Sequence, residues 1–521
     1  MEPLWMLLMC LIFLGPVLFI FLLTGIHLSL CKSKTAKSYE NLPAYGRDKP
    51  LLLIWQHYQQ ISRIVKDGPL AAYFFNISSA FASMFQHEGL FFMWIGFQPY
   101  VFIYKPEHIK AVLTSRLADD KSQDYDHLRH IVGTGLATSF SKMNAQRRKL
   151  LQPAFHSRIL ENFIPTFNEH SLVLVSKLKT TVNKPWIDIT PMMTACALDI
   201  LCQTVMGIRI NAQEGNKAAV EYTEAAEEIM DLFVHRIVRP WFSSDFVFFS
   251  SSAGQRFRKA RKSVDDFTGQ VIHEKKATLK VDEDNNELDQ YSKKGSKSFL
   301  ELLLEHHAKD PNLTLKDVQD EVDTFMFAGH DTSTILVNWV LYLLGLYPDI
   351  QDKVYQEQCS IFGNNKTADV TNEDLKNMVY LENVIKETLR LYPPGPLIGR
   401  KCKESIKTGS YTIPAGTNIY LNIYKLHRDP AVFPNPEKFD PERFSPENNT
   451  KRDTFSYIPF SAGVRSCIGQ RYGMIETRVI LSHIIRNLKV ISLDPRDMMN
   501  VYMKVTLRWP NPLRLRFSLR P

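Results

Sequence analysis

The sequence predicts a mainly α-helical protein with a smaller β region, preceded by one N-terminal membrane-spanning helix. Three observations carry this expectation. Residues 3–31 contain no Asp, Glu, Lys or Arg. From about residue 144 to 346 the apolar positions recur mainly at helical spacing. Two patches, 90–104 and 411–424, are rich in apolar and aromatic residues and broken by glycine and proline, as strands and turns are.

Composition narrows the class. The chain has 521 residues, 45% of them apolar, which is ample for a large core. Its 63 Lys and Arg against 55 Asp and Glu leave +8, spread along the chain without a dense basic tract. Nucleic acid is therefore not an expected partner, whereas a membrane surface or an acidic partner stays open. Seven cysteines with no C-x-x-C exclude a disulfide scaffold or a structural zinc module as the organising principle.

The N-terminal stretch is long enough to span. Residues 4–26 as a helix would reach about 35 Å, against a hydrocarbon core of ~30 Å. A cleaved signal peptide typically has only ~7–15 apolar residues. Lys32, Lys34 and Lys37 follow directly, while Glu2 is the only side-chain charge in front, so the bulk of the chain should face the cytosol. The expected organisation is an anchor over 1–31, a linker over 32–50 and one large domain over 51–521.

Within that domain, 90–95 and 100–104, separated by Gly96 and Pro99, predict a β-hairpin, and Pro106 opens a helix. The charged segment 282–297 reads as a mobile surface loop. Residues 324–347 carry one formal charge, Asp331, and could pass for a second membrane span. Acidic flanks, the Thr314–Asp317 capping pair and the stop at Pro348 favour a buried helix of some ~48 Å instead. A strand and turn over 411–416 precede another strand from 419.

The segment 460–469, Phe-Ser-Ala-Gly-Val-Arg-Ser-Cys-Ile-Gly, suits a metal-binding thiolate. Cys467 stands just ahead of an amphipathic helix, where backbone N–H groups and the helix dipole favour negative charge. Gly463 permits a tight turn, and Gly469 allows a flat ligand to approach. A lone cysteine is more often an inert core residue, and only the whole segment argues otherwise.

This segment resembles the haem-binding loop of the cytochrome P450 superfamily, the haem-thiolate monooxygenases, and three further motifs occur in that family's order. Residues 328–332, Ala-Gly-His-Asp-Thr, resemble its oxygen-activating stretch. Glu387 and Arg390 match its E-x-x-R, and Arg443, in Pro-Glu-Arg-Phe, matches the arginine that joins them in a triad. Residues 321–332, 147–151 and 197–200 are most similar to family 4, the fatty-acid ω-hydroxylase branch. Three departures stand out: Asn144 where tryptophan is usual, Ala328 where many relatives carry glutamate, and a hinge reduced to Pro43 and Pro50.

The resemblance implies haem b, held without a covalent tether apart from the Cys467–iron bond. Phe460, Gly463, Gly469, Arg465, Arg148 and Arg400 would contact it, and Thr332 with Asp331 would relay protons in the oxygen groove. The expected reaction inserts one atom of O₂ into a C–H bond of a lipophilic substrate, such as a fatty acid. The residues around Gly133 and Gly135 lack the third glycine of a dinucleotide fingerprint. Electrons would therefore come from an NADPH-cytochrome P450 reductase, with cytochrome b5 as an accessory donor, at the cytosolic face of the endoplasmic reticulum membrane. Arg147, Lys149, Arg471 and Arg478 could form the docking face. A peroxide-using isomerase or dehydratase and a non-catalytic haem-thiolate sensor are the alternatives.

Overall fold

Leu90–Ile95 (β1) and Gln98–Ile103 (β2) pair antiparallel, from Leu90 opposite Ile103 to Ile95 opposite Gln98. This is the hairpin that the aromatic runs predict, and Phe91 stacks on Phe102 across it at 4.7 Å. The computed structural model describes residues 37–45, 70–95, 98–285, 297–449, 452–509 and 512–521. The expected anchor, and parts of the expected linker and of segment 282–297, lie outside these residues.

Leu397–Lys401 (β3) and Asn418–Asn422 (β4) complete a four-stranded sheet in the order β1-β2-β4-β3, in which only β2 and β4 run parallel. Below it Leu90, Val101, Ile103, Ile419 and Leu421 form a compact apolar cluster with Ile109. Ile109 belongs to Pro106–Thr114 (α1), which opens on its proline as expected.

The remaining described chain is mostly helical. The helices that matter for the site are Asp124–Val132 (α2), Ser141–Leu151 (α3), Thr190–Leu201 (α4), Lys217–Ile237 (α5), Asp245–Ser250 (α6), Ser252–Asn285 (α7), Leu315–Leu346 (α8), Val379–Leu391 (α9) and Gln470–Asn487 (α10). Helix α7 runs on into the segment expected to be a loop.

Helix α8 is the axis of the fold. Thr314 and Asp317 cap it reciprocally, as their spacing predicts, and Pro348 begins the next helix at 112° to it. Its apolar length reflects burial in protein: Trp339, Val340, Leu341 and Leu343 are fully inaccessible. Trp339 stacks on Tyr392 at 3.9 Å and donates to the Leu507 carbonyl at 3.3 Å. Among the described residues, no single helix is long and apolar enough to cross a membrane.

Candidate active site

The cysteine loop lies between α8 and α10 and is shaped by its own backbone. The Cys467 N–H donates to the Phe460 carbonyl at 2.9 Å and closes the loop. Ser461 and Gly463 adopt φ of +61° and +73°. At Gly463 a Cβ would stand 2.6 Å from the Leu113 carbonyl oxygen, so only glycine fits without a backbone shift. Gly469 is the N-cap of α10, and a Cβ there would lie 3.9 Å from the Cys467 sulfur, an ordinary contact. Cys467 opens onto an internal cavity of about 330 Å³. Its walls include Phe460 and Ile468 beside it, and Ala328, Gly329 and Thr332 of α8. Burial pushes the Cys467 thiol up, opposed by the Gly469 N–H and the Arg148 charge.

A buried ion pair holds the approach to this loop. Glu387 and Arg390 on α9 are both fully inaccessible and pair through two bonds of 2.7 and 2.8 Å. Arg390 also donates to the carbonyls of His427 (2.9 Å) and Lys438 (3.1 Å). Arg443 stands 3.4 Å from Glu387, and the Asp440 N–H donates to the same carboxylate at 3.0 Å. The three residues of the expected triad thus meet. The sequence reading missed His427, whose Nε2 accepts the Ile458 N–H at 3.0 Å, two residues before Phe460. Burial and the neighbouring Arg390 and Arg428 hold its pKa down at about 3, so it stays neutral and free to accept.

On α8, Gly329 and Thr332 face the cavity and Asp331 does not. A Cβ at Gly329 would come within 2.6 Å of a Leu201 methyl, so this glycine also lets α4 pack close. The Thr332 hydroxyl donates to the Ala328 carbonyl one turn back at 2.8 Å, leaving its oxygen lone pairs for the cavity. Asp331 pairs with Arg508 and accepts from the Thr506 hydroxyl at 2.9 Å. It borders a separate cavity of about 620 Å³ with His330 and Glu227. The expected juxtaposition of Asp331 and Thr332 is therefore corrected: consecutive helical residues do not share a face, and Arg508 captures the carboxylate on the far side.

Positive charge gathers at one end of the cysteine cavity. Arg400 is buried in β3, where it reaches the Gly399 carbonyl at 3.0 Å and Ser461 Oγ at 3.4 Å. Arg465 donates to the Ser139 carbonyl at 2.8 Å, while its Nη1 finds no partner among the described residues. Burial, then repulsion from Arg400, lowers Arg465 to about 10. Lys121, which the sequence reading did not single out, lines the same cavity and lies over the Tyr125 ring at 4.6 Å. Burial and both arginines hold its pKa well below the lysine range. Arg148 donates instead to the Ser466 carbonyl at 2.7 Å, bracing the loop from outside.

This donor set fits a flat dianionic cofactor ligated by sulfur. Lys121 and Arg465 line one rim with Arg400 buried behind them against Ser461, one Arg465 guanidinium nitrogen is unpaired among the described residues, and the thiol faces the same space. Two carboxylates on one edge of a haem would offset that charge. Asn144 is buried and donates to the Leu136 carbonyl at 2.7 Å, so it supports the preceding loop and is not part of the cavity wall.

The expected docking face is only partly exposed. Arg147 is buried against Glu321 at 2.7 Å and also pairs with Asp317. Arg478 is spent on the Leu375 carbonyl and Glu382, both at 3.0 Å. Lys149 and Arg471 remain exposed. Beside the loop, Lys149 joins Arg116, His156 and Arg158 around a basic hollow of about 930 Å³.

A family model described as cytochrome P450 matches residues 50–517. Cytochrome P450 4c3 of Drosophila melanogaster is 38% identical over 441 residues, which span 83% of this chain and 82% of that protein. Cytochrome P450 4V2 of Homo sapiens is 37% identical over 480 residues, spanning 89% and 91%. The crystal structure of the cytochrome P450DA heme domain superposes with a TM-score of 0.70 at 24% identity, covering 84% of this chain and 91% of that one.

Proposed function

The chain belongs to the cytochrome P450 family, and from that premise we propose that it hydroxylates a fatty acid or related lipid at a membrane surface. It is a monooxygenase of the family 4 kind with a haem ligated by cysteine. The observation that carries the fuller reading is the cavity in which Cys467 faces Ala328 and Thr332 beneath a cationic rim.

In this reading Cys467 would ligate the haem iron, Arg400 and Arg465 with Lys121 would hold the propionates, and Arg148 steadies the loop through Ser466. When bound, the haem supplies O₂ activation and insertion of one oxygen atom into a C–H bond. The chain supplies everything around that chemistry. Phe460 and Ile468 keep the sulfur side apolar, the Glu387–Arg390–Arg443 cluster fixes the segment leading to it, and Gly329 leaves space on the opposite wall. Thr332 Oγ1, anchored to the Ala328 carbonyl, accepts a hydrogen bond from a proton donor in the cavity and holds that donor in place. Asp331 stays with Arg508 and borders the second cavity.

Supply of electrons falls to an NADPH-dependent reductase, with cytochrome b5 as accessory donor. The basic hollow bordered by Lys149 and Arg158, with Arg471 exposed nearby, suits an acidic partner surface. The proposed assignment of 51–521 as the catalytic domain, behind a 1–31 anchor and a 32–50 linker at the endoplasmic reticulum membrane, rests on the charge pattern of the sequence. One surface feature supports the membrane reading: between α5 and α7, Trp241 and Phe246 are 60% and 81% exposed, with Val247 beside them.

Incubating the full-length holoprotein with reductase, NADPH and C12–C20 fatty acids should give hydroxylated product, with a substrate-induced shift of the Soret band. A Thr332→Ala variant should keep that shift and lose coupling of NADPH to product by roughly 10²–10⁴-fold, the usual scale for a positioned proton-transfer group. Unchanged coupling would remove Thr332 from proton handling, and no product from any fatty acid would sink the substrate assignment.

Ala328 sets a second expectation. It lies on the cavity wall, where a glutamate could esterify a haem methyl, and its side chain has no oxygen. Haem should therefore leave the polypeptide on acid extraction into organic solvent. Retention of haem through that extraction would refute non-covalent binding.

A further inference from the structure

Away from the cysteine cavity, three potential metal donors converge. His127 and His130 stand one turn apart on α2, and Asp245 begins α6. One donor atom from each lies within 4.8 Å of the others, and His130 Nε2 is 3.3 Å from Asp245 Oδ1. Ligands about 2.0–2.1 Å from a tetrahedral ion stand roughly 3.3 Å apart, so His130 and Asp245 already have the needed spacing. Two imidazoles and one carboxylate select zinc over calcium or magnesium, which prefer all-oxygen sites.

We propose that His127, His130 and Asp245 bind Zn²⁺, and that the bound ion clamps α2 to the segment following α5. The position gives the clamp a consequence. Between α2 and the C-terminal end of α5 lies a pocket of about 100 Å³, lined by Tyr125 and Leu128 on one side and Phe233, Val234 and Ile237 on the other, and Tyr125 also lines the cysteine cavity. Pockets that hold drug-sized molecules run to ~300–1,000 Å³, so a bulky ligand using this side to reach the cysteine cavity would need these walls to part. The ion would tie one wall to the segment that continues the other.

Arg236 is the competing cation. It pairs with Asp245, but it is also held by the Phe242 carbonyl at 3.0 Å and by the Phe248 ring at 4.6 Å. Those contacts keep it in place, but Arg236 and His130 meet the same Asp245 oxygen, Oδ1, so zinc binding there requires the carboxylate to turn its second oxygen to the guanidinium. The fourth coordination position falls to water. Its cost is a weaker site than one with four protein ligands, which suits a reversible clamp.

The test uses the untagged, full-length holoprotein and Zn²⁺ in competition with a chromophoric chelator. One Zn²⁺ should bind per chain, with affinity falling at least tenfold in His127→Ala, His130→Ala and Asp245→Asn. In parallel, association of a bulky phenyl-substituted azole, followed by the Soret shift as it reaches the iron, should slow several-fold with Zn²⁺ present. That slowing should vanish in the three variants, whose haem spectra should match the parent. Equal zinc affinity in parent and variants, or an azole association rate indifferent to zinc, overturns the proposal.

Discussion

Cys467→Ser removes the long-wavelength band of the reduced, carbon monoxide-bound protein and with it all turnover. The argument is electrostatic and geometric. Among the described residues Cys467 is the one cysteine on the wall of the cationic cavity; Cys196, Cys202 and Cys402 are buried elsewhere. The protein alone does not hold it as a thiolate, because burial raises the thiol against the Gly469 N–H and the Arg148 charge. Iron, when bound, would complete the deprotonation, since a metal-bound thiol loses its proton outright. Serine offers a neutral hydroxyl whose own pKa lies far higher, so the same local donors cannot ionise it. The loop itself should survive, because its closing bond runs from the residue-467 backbone N–H to Phe460. The measurement is the carbon monoxide difference spectrum of protein reconstituted with haem; a variant that retains the parent band would show that another group is the ligand.

Legibility of the sequence followed the range of each interaction. The hairpin, the Thr314–Asp317 cap, the stop at Pro348 and the i, i+3 pair Glu387–Arg390 are local, and each was readable from spacing. What a side chain faces across the fold was not. Asp331 belongs to the recognised stretch on α8, yet its orientation is decided by Arg508, 177 positions away. Arg147 looked like a surface cation because Glu321, its buried partner, is 174 positions distant. Lys121 and Tyr125 stand in an unremarkable polar stretch and reach the cavity only because α2 folds over β3 near Arg400 and Gly399. The one cue was that Lys121 lies three residues before an acidic helix start, which says nothing of a cofactor. His427 follows a short helical turn, with no motif to mark its bond to the cysteine loop.

Arg390→Ala should prevent accumulation of haem-loaded protein. The change leaves Glu387 fully buried with one of its two cationic neighbours gone and the other, Arg443, at 3.4 Å. Breaking a buried ion pair from one side typically costs about 3–5 kcal/mol, against a total stability of roughly 5–15 kcal/mol for a folded domain. The carbonyls of His427 and Lys438 lose their donor as well. Both segments lead towards the cysteine loop, so damage should reach the iron ligand as well as the global fold. Arg390→Lys separates charge from geometry. Lysine keeps the positive charge but cannot supply the fork that meets both Glu387 oxygens and two carbonyls, so it should rescue only part of the loss. Glu387→Gln combined with Arg390→Met removes the uncompensated charge and should recover more thermal stability than Arg390→Ala alone, without restoring full haem content. The readouts are melting temperature and the ratio of Soret to protein absorbance. An Arg390→Ala protein that melts within a degree or two of the parent and carries a full haem complement would show that this buried cluster does not hold the loop.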